Sequence, residues 1–191
     1  MMPLQDVEKR AALYEALSSY YGGDRTAGEA FLRLVNEHLQ TELVLPPPDD
    51  AAMFDFNRLF VGPQKLLAPP YESAYLSPHH TTMTEHTMSV RSAYRAVGIE
   101  IADKGRIPDD HLQYETAFAA FLLRGLANVP QEAANFRQDF ATHYADFLRT
   151  HLLCWIFGHL EEVAQHSTTA FCRQVAAAMQ LFFTSEKEAL S

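Results

Sequence analysis

Apolar residues recur along this chain at the spacing of an α-helix, and nowhere over a useful length at the two-residue spacing of a strand. Val7, Ala11, Tyr14 and Tyr21, with Leu13, Leu17 and Tyr20 beside them, form one stripe that stops at Gly22-Gly23. Thr26-Ala27-Gly28-Glu29 has the form of a capping box, and Leu32, Val35 and Leu39 make the apolar face of the helix it opens. Pro46-Pro47-Pro48 ends that element, and Met53, Phe56, Leu59 and Phe60 give a third, short stripe. Pattern returns at Met88, Val90, Tyr94 and Val97 and ends at Gly98, a residue suited to a left-handed helix end. Asp109 or Asp110 is placed to cap a helix with Leu112, Phe118, Leu122 and Leu126. Pro130 is placed to open the next, with Phe136, Phe140, Phe147 and His151 on one face. That pattern runs on to Val163, too far for one helix, so a break is expected near Thr150. Phe171, Val175, Met179 and Phe182 follow a Ser167-Thr168-Thr169 cap region. The expectation is an all-α fold of roughly eight to ten helices. A single domain over residues 1–191 is expected, and the connector at residues 101–108 would be the hinge if the helices divide into two lobes.

One stretch breaks the rule. From Val61 to His80 the periodicity disappears, yet the segment holds Leu66, Leu67, Tyr71, Tyr75 and Leu76 among its prolines. Long loops of this kind are usually functional or disordered, and the aromatic content argues for an ordered one.

Charge and cysteine usage narrow the function. The formal net charge is -9, which repels a phosphate backbone and attracts a basic peptide, so no nucleic-acid partner is expected. The richest apolar run, Leu152 to Phe157, is cut off by Gly158 and His159, far short of the roughly 20 residues of a membrane helix. Residues 1–10 carry Asp6, Glu8, Lys9 and Arg10 with no apolar core, so no secretory signal is expected and the protein is placed in the cytoplasm. Cys154 and Cys172 sit in apolar helical patterns and read as two buried reduced thiols.

Motif chemistry adds few enzymes. There is no phosphate-binding or dinucleotide-binding glycine pattern and no nucleophile elbow. His79, His80 and His86 are the densest histidine group, but no paired cysteines complete a zinc cage, and surface or polar contacts are expected of them. Asp109, Asp110, His111 and Glu115 could serve a metal-dependent hydrolase; the structural alternative is a capped helix with His111 and Glu115 bonding across a helix junction.

Four segments change the balance: 55–63 (DFNRLFVGP), 68–75 (APPYESAY), Pro108 to His111 with Glu115 and Phe118, and Phe147 to Trp155. In this order they resemble the TorD/DmsD/NarJ group of redox-enzyme maturation chaperones. Asn57, Leu59, Phe60, Gly62 and Pro63 match that family's first segment, and Pro69, Pro70, Tyr71, Ser73 and Tyr75 its aromatic loop. Pro108, Asp110 and His111 match its Asp-His signature, and His151, Leu152 and Trp155 its last segment. Arg91 and Gly98 fall where the family places an arginine and a glycine, whereas Asp55 stands where many members have glutamate and Thr116 where leucine is common.

The resemblance implies an all-helical, non-enzymatic chaperone, a monomer or a domain-exchanged dimer. Its partner would be the apoprotein of a molybdenum oxidoreductase of the DMSO-reductase type, bound at its twin-arginine signal peptide or N-terminal region until cofactor is inserted. A basic peptide segment followed by an apolar one calls for carboxylates beside an aromatic groove. Tyr71, Glu72, Ser73, Tyr75, Arg91, Gly98, Pro108, Asp110, His111 and Glu115 are the expected contact region. Tyr71 and Tyr75 could instead plug the core. No catalytic residue, metal or cofactor is assigned. A permanent structural subunit of an oxidoreductase is the other partner-based alternative.

Overall fold

The structure, a computed structural model, describes residues 4–44, 46–78, 82–102 and 105–191. Among these residues there is no strand, and the chain forms nine α-helical segments, α1 to α9. They are Leu4–Tyr21, Thr26–Leu39, Asp50–Phe56, Glu72–Leu76, Glu85–Ala96, Leu112–Asn128, Ala134–Phe147, Leu153–His166 and Ala170–Ala189. Two π-helical turns, Asn57–Val61 and Leu148–Leu152, extend α3 and join α7 to α8.

The first helix explains the arrangement. Val7, Ala11, Leu13, Tyr14, Leu17 and Tyr20 cover much of its circumference and are all buried, so α1 must be surrounded rather than laid on a surface. It packs chiefly on α6, whose Leu122 and Leu123 are fully buried, and on α2. Much of the remaining core comes from α8 and α9, through Trp155, Ile156, Phe182 and Phe183. One core cluster joins residues on both sides of the α5–α6 connector.

Several local expectations are corrected. Thr26 lies inside α2, and the side chain that takes its amide is Asp24 (3.0 Å). Thr84 and Thr87 form a capping box instead, at the start of α5. The cap of α6 is neither Asp109 nor Asp110 but His111, whose Nδ1 accepts the Gln113 amide. Pro130 sits in a turn ahead of α7, which begins at Ala134, because the chain first closes an Ala133 N–Pro130 O bond. Near Thr150 the helix does not break; it widens into the second π turn and continues as α8. Cys154 is exposed and only Cys172 is buried, since Cys154 falls on the outer face of α8 opposite Trp155 and Ile156. Gly98 ends α5 with φ at 78°, as its position suggests.

Candidate functional site

The aperiodic loop contains a short helix that sequence periodicity could not show. Residues 69–77 form a strap that crosses the entry of α6, with the five-residue α4 inside it. Tyr71 makes an antiparallel bridge with His111. The Glu72 amide donates to the Asp110 carbonyl (3.1 Å) and the Leu112 amide to the Pro70 carbonyl (2.9 Å). Asp110 Oδ2 then accepts the Ser73 amide at 2.9 Å. The motif pairs that are far apart in sequence therefore meet through main-chain bonds, and the Tyr71 and His111 rings pack edge to face, 4.9 Å apart.

Beneath the strap lies a group of buried carboxyls. Glu72, Asp110 and Glu115 are each almost wholly enclosed. Both Glu72 oxygens lie 3.1 Å from His151 Nδ1, and His86 Nδ1 is 3.7 Å from Glu72. Trp155 Nε1 donates to Glu115 Oε2 at 3.1 Å. Burial pushes the Glu115 carboxyl well above the usual carboxylate range; Glu72 and Asp110 push the same way, and the Trp155 bond pulls only partly back. Burial likewise drives His111 down to about 4 against the raising field of Asp110. His111 is therefore a neutral ring at pH 7, consistent with an Nδ1 that accepts a hydrogen bond.

Tyr75 anchors the other end of the strap. Its ring stacks on Trp155 (5.5 Å, 26°) and its hydroxyl bonds His159 Nδ1 at 3.1 Å. His159 Nε2 bonds the Tyr21 hydroxyl at 2.8 Å. Burial pushes His159 down to about 3, with the Pro69 carbonyl raising it slightly, so the ring is a neutral link between strap and α1. Tyr71, half-buried, faces outward into a cleft of about 520 Å³ lined by Tyr21, Met53, Phe56, Phe60 and His111. Aromatic and apolar side chains dominate its lining, Arg25, Asn57 and Gln113 add polar groups, and the first and second motif segments form part of its rim.

The expected contact region divides. Tyr71, Glu72, Ser73, Tyr75, Asp110, His111 and Glu115 are brought together by the strap. Pro108 supplies the turn that presents His111, accepting its amide at 3.1 Å. Arg91 is set apart on α5, where its guanidinium grips both oxygens of Asp109 (2.6 and 3.1 Å) at the rim. Gly98 only ends that helix. The hydrolase alternative finds no geometry: Asp109 turns to Arg91, Asp110 to Ser73, His111 to Gln113 and Glu115 to Trp155. Among the described residues no group of three metal-ligating side chains converges. His79 and His80 lie outside the described residues.

All four motif segments fall inside residues 23–160, the span that matches the nitrate reductase delta subunit family. The chain belongs to this family. It is the family of the TorD/DmsD/NarJ-type redox-enzyme maturation chaperones, as the resemblance of the four segments implied. A relative in Haemophilus influenzae, named as a probable Tat proofreading chaperone DmsD, is 26% identical over 121 residues, 63% of this chain and 53% of the relative. The chain thus spans about half the length of this curated relative. No helix among the described residues is long and apolar enough to cross a membrane.

His159 and Tyr21 link the strap to α1 and were not singled out as site residues from sequence. A signal existed for His159: with Trp155, Ile156, Leu160 and Val163 it occupies the buried face of α8, where a histidine needs a partner.

Proposed function

We propose that the protein is a cytoplasmic chaperone that binds the twin-arginine signal peptide or N-terminal region of a DMSO-reductase-type molybdenum oxidoreductase. It would hold that apoprotein while cofactor is inserted, before export or assembly. The observation that carries the proposal is the layering of the site: an apolar aromatic cleft at the surface, with Glu72, Asp110 and Glu115 directly behind its Tyr71–His111 wall. Such a ligand presents guanidinium groups beside an apolar segment, and the layering offers a counterpart to each. The negative charge of the whole chain favours encounter with that basic segment.

Asp110→Asn tests the electrostatic half. Asp110 Oδ2 accepts one main-chain amide, and an asparagine oxygen can do the same, so the fold should keep its melting temperature. The charge is lost, and affinity for a cognate twin-arginine peptide should fall roughly tenfold or more. Unchanged affinity in a well-folded variant would remove Asp110 from the site. The description of the family as a subunit supports a second reading, a permanent component of the enzyme. Recovery with mature oxidoreductase in fixed stoichiometry would favour it over a chaperone that departs.

A further inference from the structure

Under the strap, Ser73 Oγ, Asp110 Oδ1 and Glu115 Oε1 are buried with no hydrogen-bond partner. Native interiors seldom leave three such atoms in one place, because each forfeits its hydration without compensation. The strap that encloses them has little regular structure of its own and is held by a few side-chain contacts, Glu72 to His151 and Tyr75 to Trp155 and His159. Its helix α4 has five residues, too few to stand alone. Pro69-Pro70 and Pro78 bracket it and stiffen both ends. Its ladder to the start of α6 is a single bridge. Closing it therefore hides carboxyl groups that water would solvate better.

We infer that residues 69–77 swing away from the start of α6 as a unit while the helical core stays folded, uncovering Glu72, Asp110 and Glu115 to a cationic side chain of the partner. For the nature of that partner this rests on the function proposed above; the opening itself does not. The closed form is the state in which the carboxyls are masked. A ligand that meets them only in the open form shifts the population toward it.

The protein carries an internal control for the experiment. Cys172 is buried in the core and Cys154 is exposed, so Cys154→Ser combined with Ser73→Cys leaves one thiol on the buried side of the strap and one that reports global unfolding. Labelling with N-ethylmaleimide under native conditions should modify the strap thiol at least about tenfold faster than Cys172, as local opening outpaces global opening. Equal rates would overturn the strap. Hydrogen exchange on the unaltered protein checks this without a substitution. The Glu72 and Ser73 amides, both bonded to Asp110, should exchange at least about tenfold faster than the Leu122 and Leu123 amides of α6. Exchange as slow as in α6 would count equally against it. A synthetic peptide with two adjacent arginines and an apolar stretch should then shift strap labelling by about threefold or more, and its glutamine-substituted counterpart should not. A strap that opens but ignores both peptides would retain the device and overturn the proposed partner.

Discussion

Two of the places where the molecule buries carboxylates treat them in opposite ways. At the junction of α1, α7 and α9, Glu186 faces Arg10, whose Nη1 lies 3.0 Å from Oε1, and receives the Tyr14 and Tyr144 hydroxyls at Oε2. Arg10 also binds Asp6, 3.0 Å away. Burial alone would weaken the Arg10 charge, but Glu186, Tyr144 and Asp6 more than restore it. Under the strap, the ion-pair partners of Glu72 among the described residues are His86 and His151, and two carboxyl oxygens go unpartnered. The first group has a fixed counter-charge: Glu186 Oε1 and Arg10 Nε lack a directed hydrogen bond, yet each lies 3.0 Å from an opposite charge, and the group ties three helices together. The second is incomplete in isolation, which is how a surface prepared for a cation differs from a structural lock.

Removing Glu186 should produce the largest effect. Glu186→Ala leaves Arg10 buried without its main counter-charge, and a loss of about 3–5 kcal/mol in urea denaturation is expected. Peptide affinity of the folded fraction should be unaltered; a loss below about 1 kcal/mol would erase the contrast between the two groups.

Glu115 gives a smaller effect with a characteristic pH dependence. Its folded pKa is raised, so the folded protein keeps a proton that the unfolded chain releases above about pH 4.3. Wild-type stability through this residue is therefore fullest at low pH. It declines as pH rises toward the folded pKa, by at most about 1.4 kcal/mol per unit. Glutamine has no proton to release, so the stability of Glu115→Gln relative to wild type should climb between pH 5 and 7. A difference that stays flat would show that Glu115 is ionised in the fold. Smallest should be Arg91→Gln. The Arg91–Asp109 pair is partly open to solvent, and its loss should cost less than about 1 kcal/mol of stability. A larger cost would make the rim pair part of what holds the strap closed.

The helices were legible because burial imposes a period, and most of the site was legible because its residues stand in recognisable motifs. What escaped shows where periodicity is blind. Helix α4 is a turn and a half, shorter than the window over which a 3.6-residue repeat can be seen. His111 displaced the two aspartates as cap because imidazole Nδ1 accepts an amide as a carboxylate does, although residue preferences favour aspartate. Glu186 had a signal that could have been read: it continues the stripe of Val175, Met179 and Phe182 at the next inward position. Asp55 is similar, lying between Ala52 and Leu59 on the inner side. Its Oδ2 takes the amides of Thr168 and Thr169, and its Oδ1 bonds Arg58. Burial would raise its pKa, yet these bonds hold it below the usual range. A charged residue on an apolar face announces a buried partner without naming it; the partner, more than 100 positions away, only the fold supplies.

The π turn at Leu148–Leu152 has a consequence for how chains of this kind can change length. A π turn is a helix that has absorbed one additional residue without losing direction. Removing one residue there, such as exposed Thr150, would return the ladder to its regular pitch. Phe147 on one side and Trp155 on the other would still face inward. Elsewhere in a helix a deletion rotates everything downstream by about 100°. Descendants of this sequence can therefore shed a residue at this turn and keep the core on both sides of it. What they forfeit is the placement of His151 against Glu72.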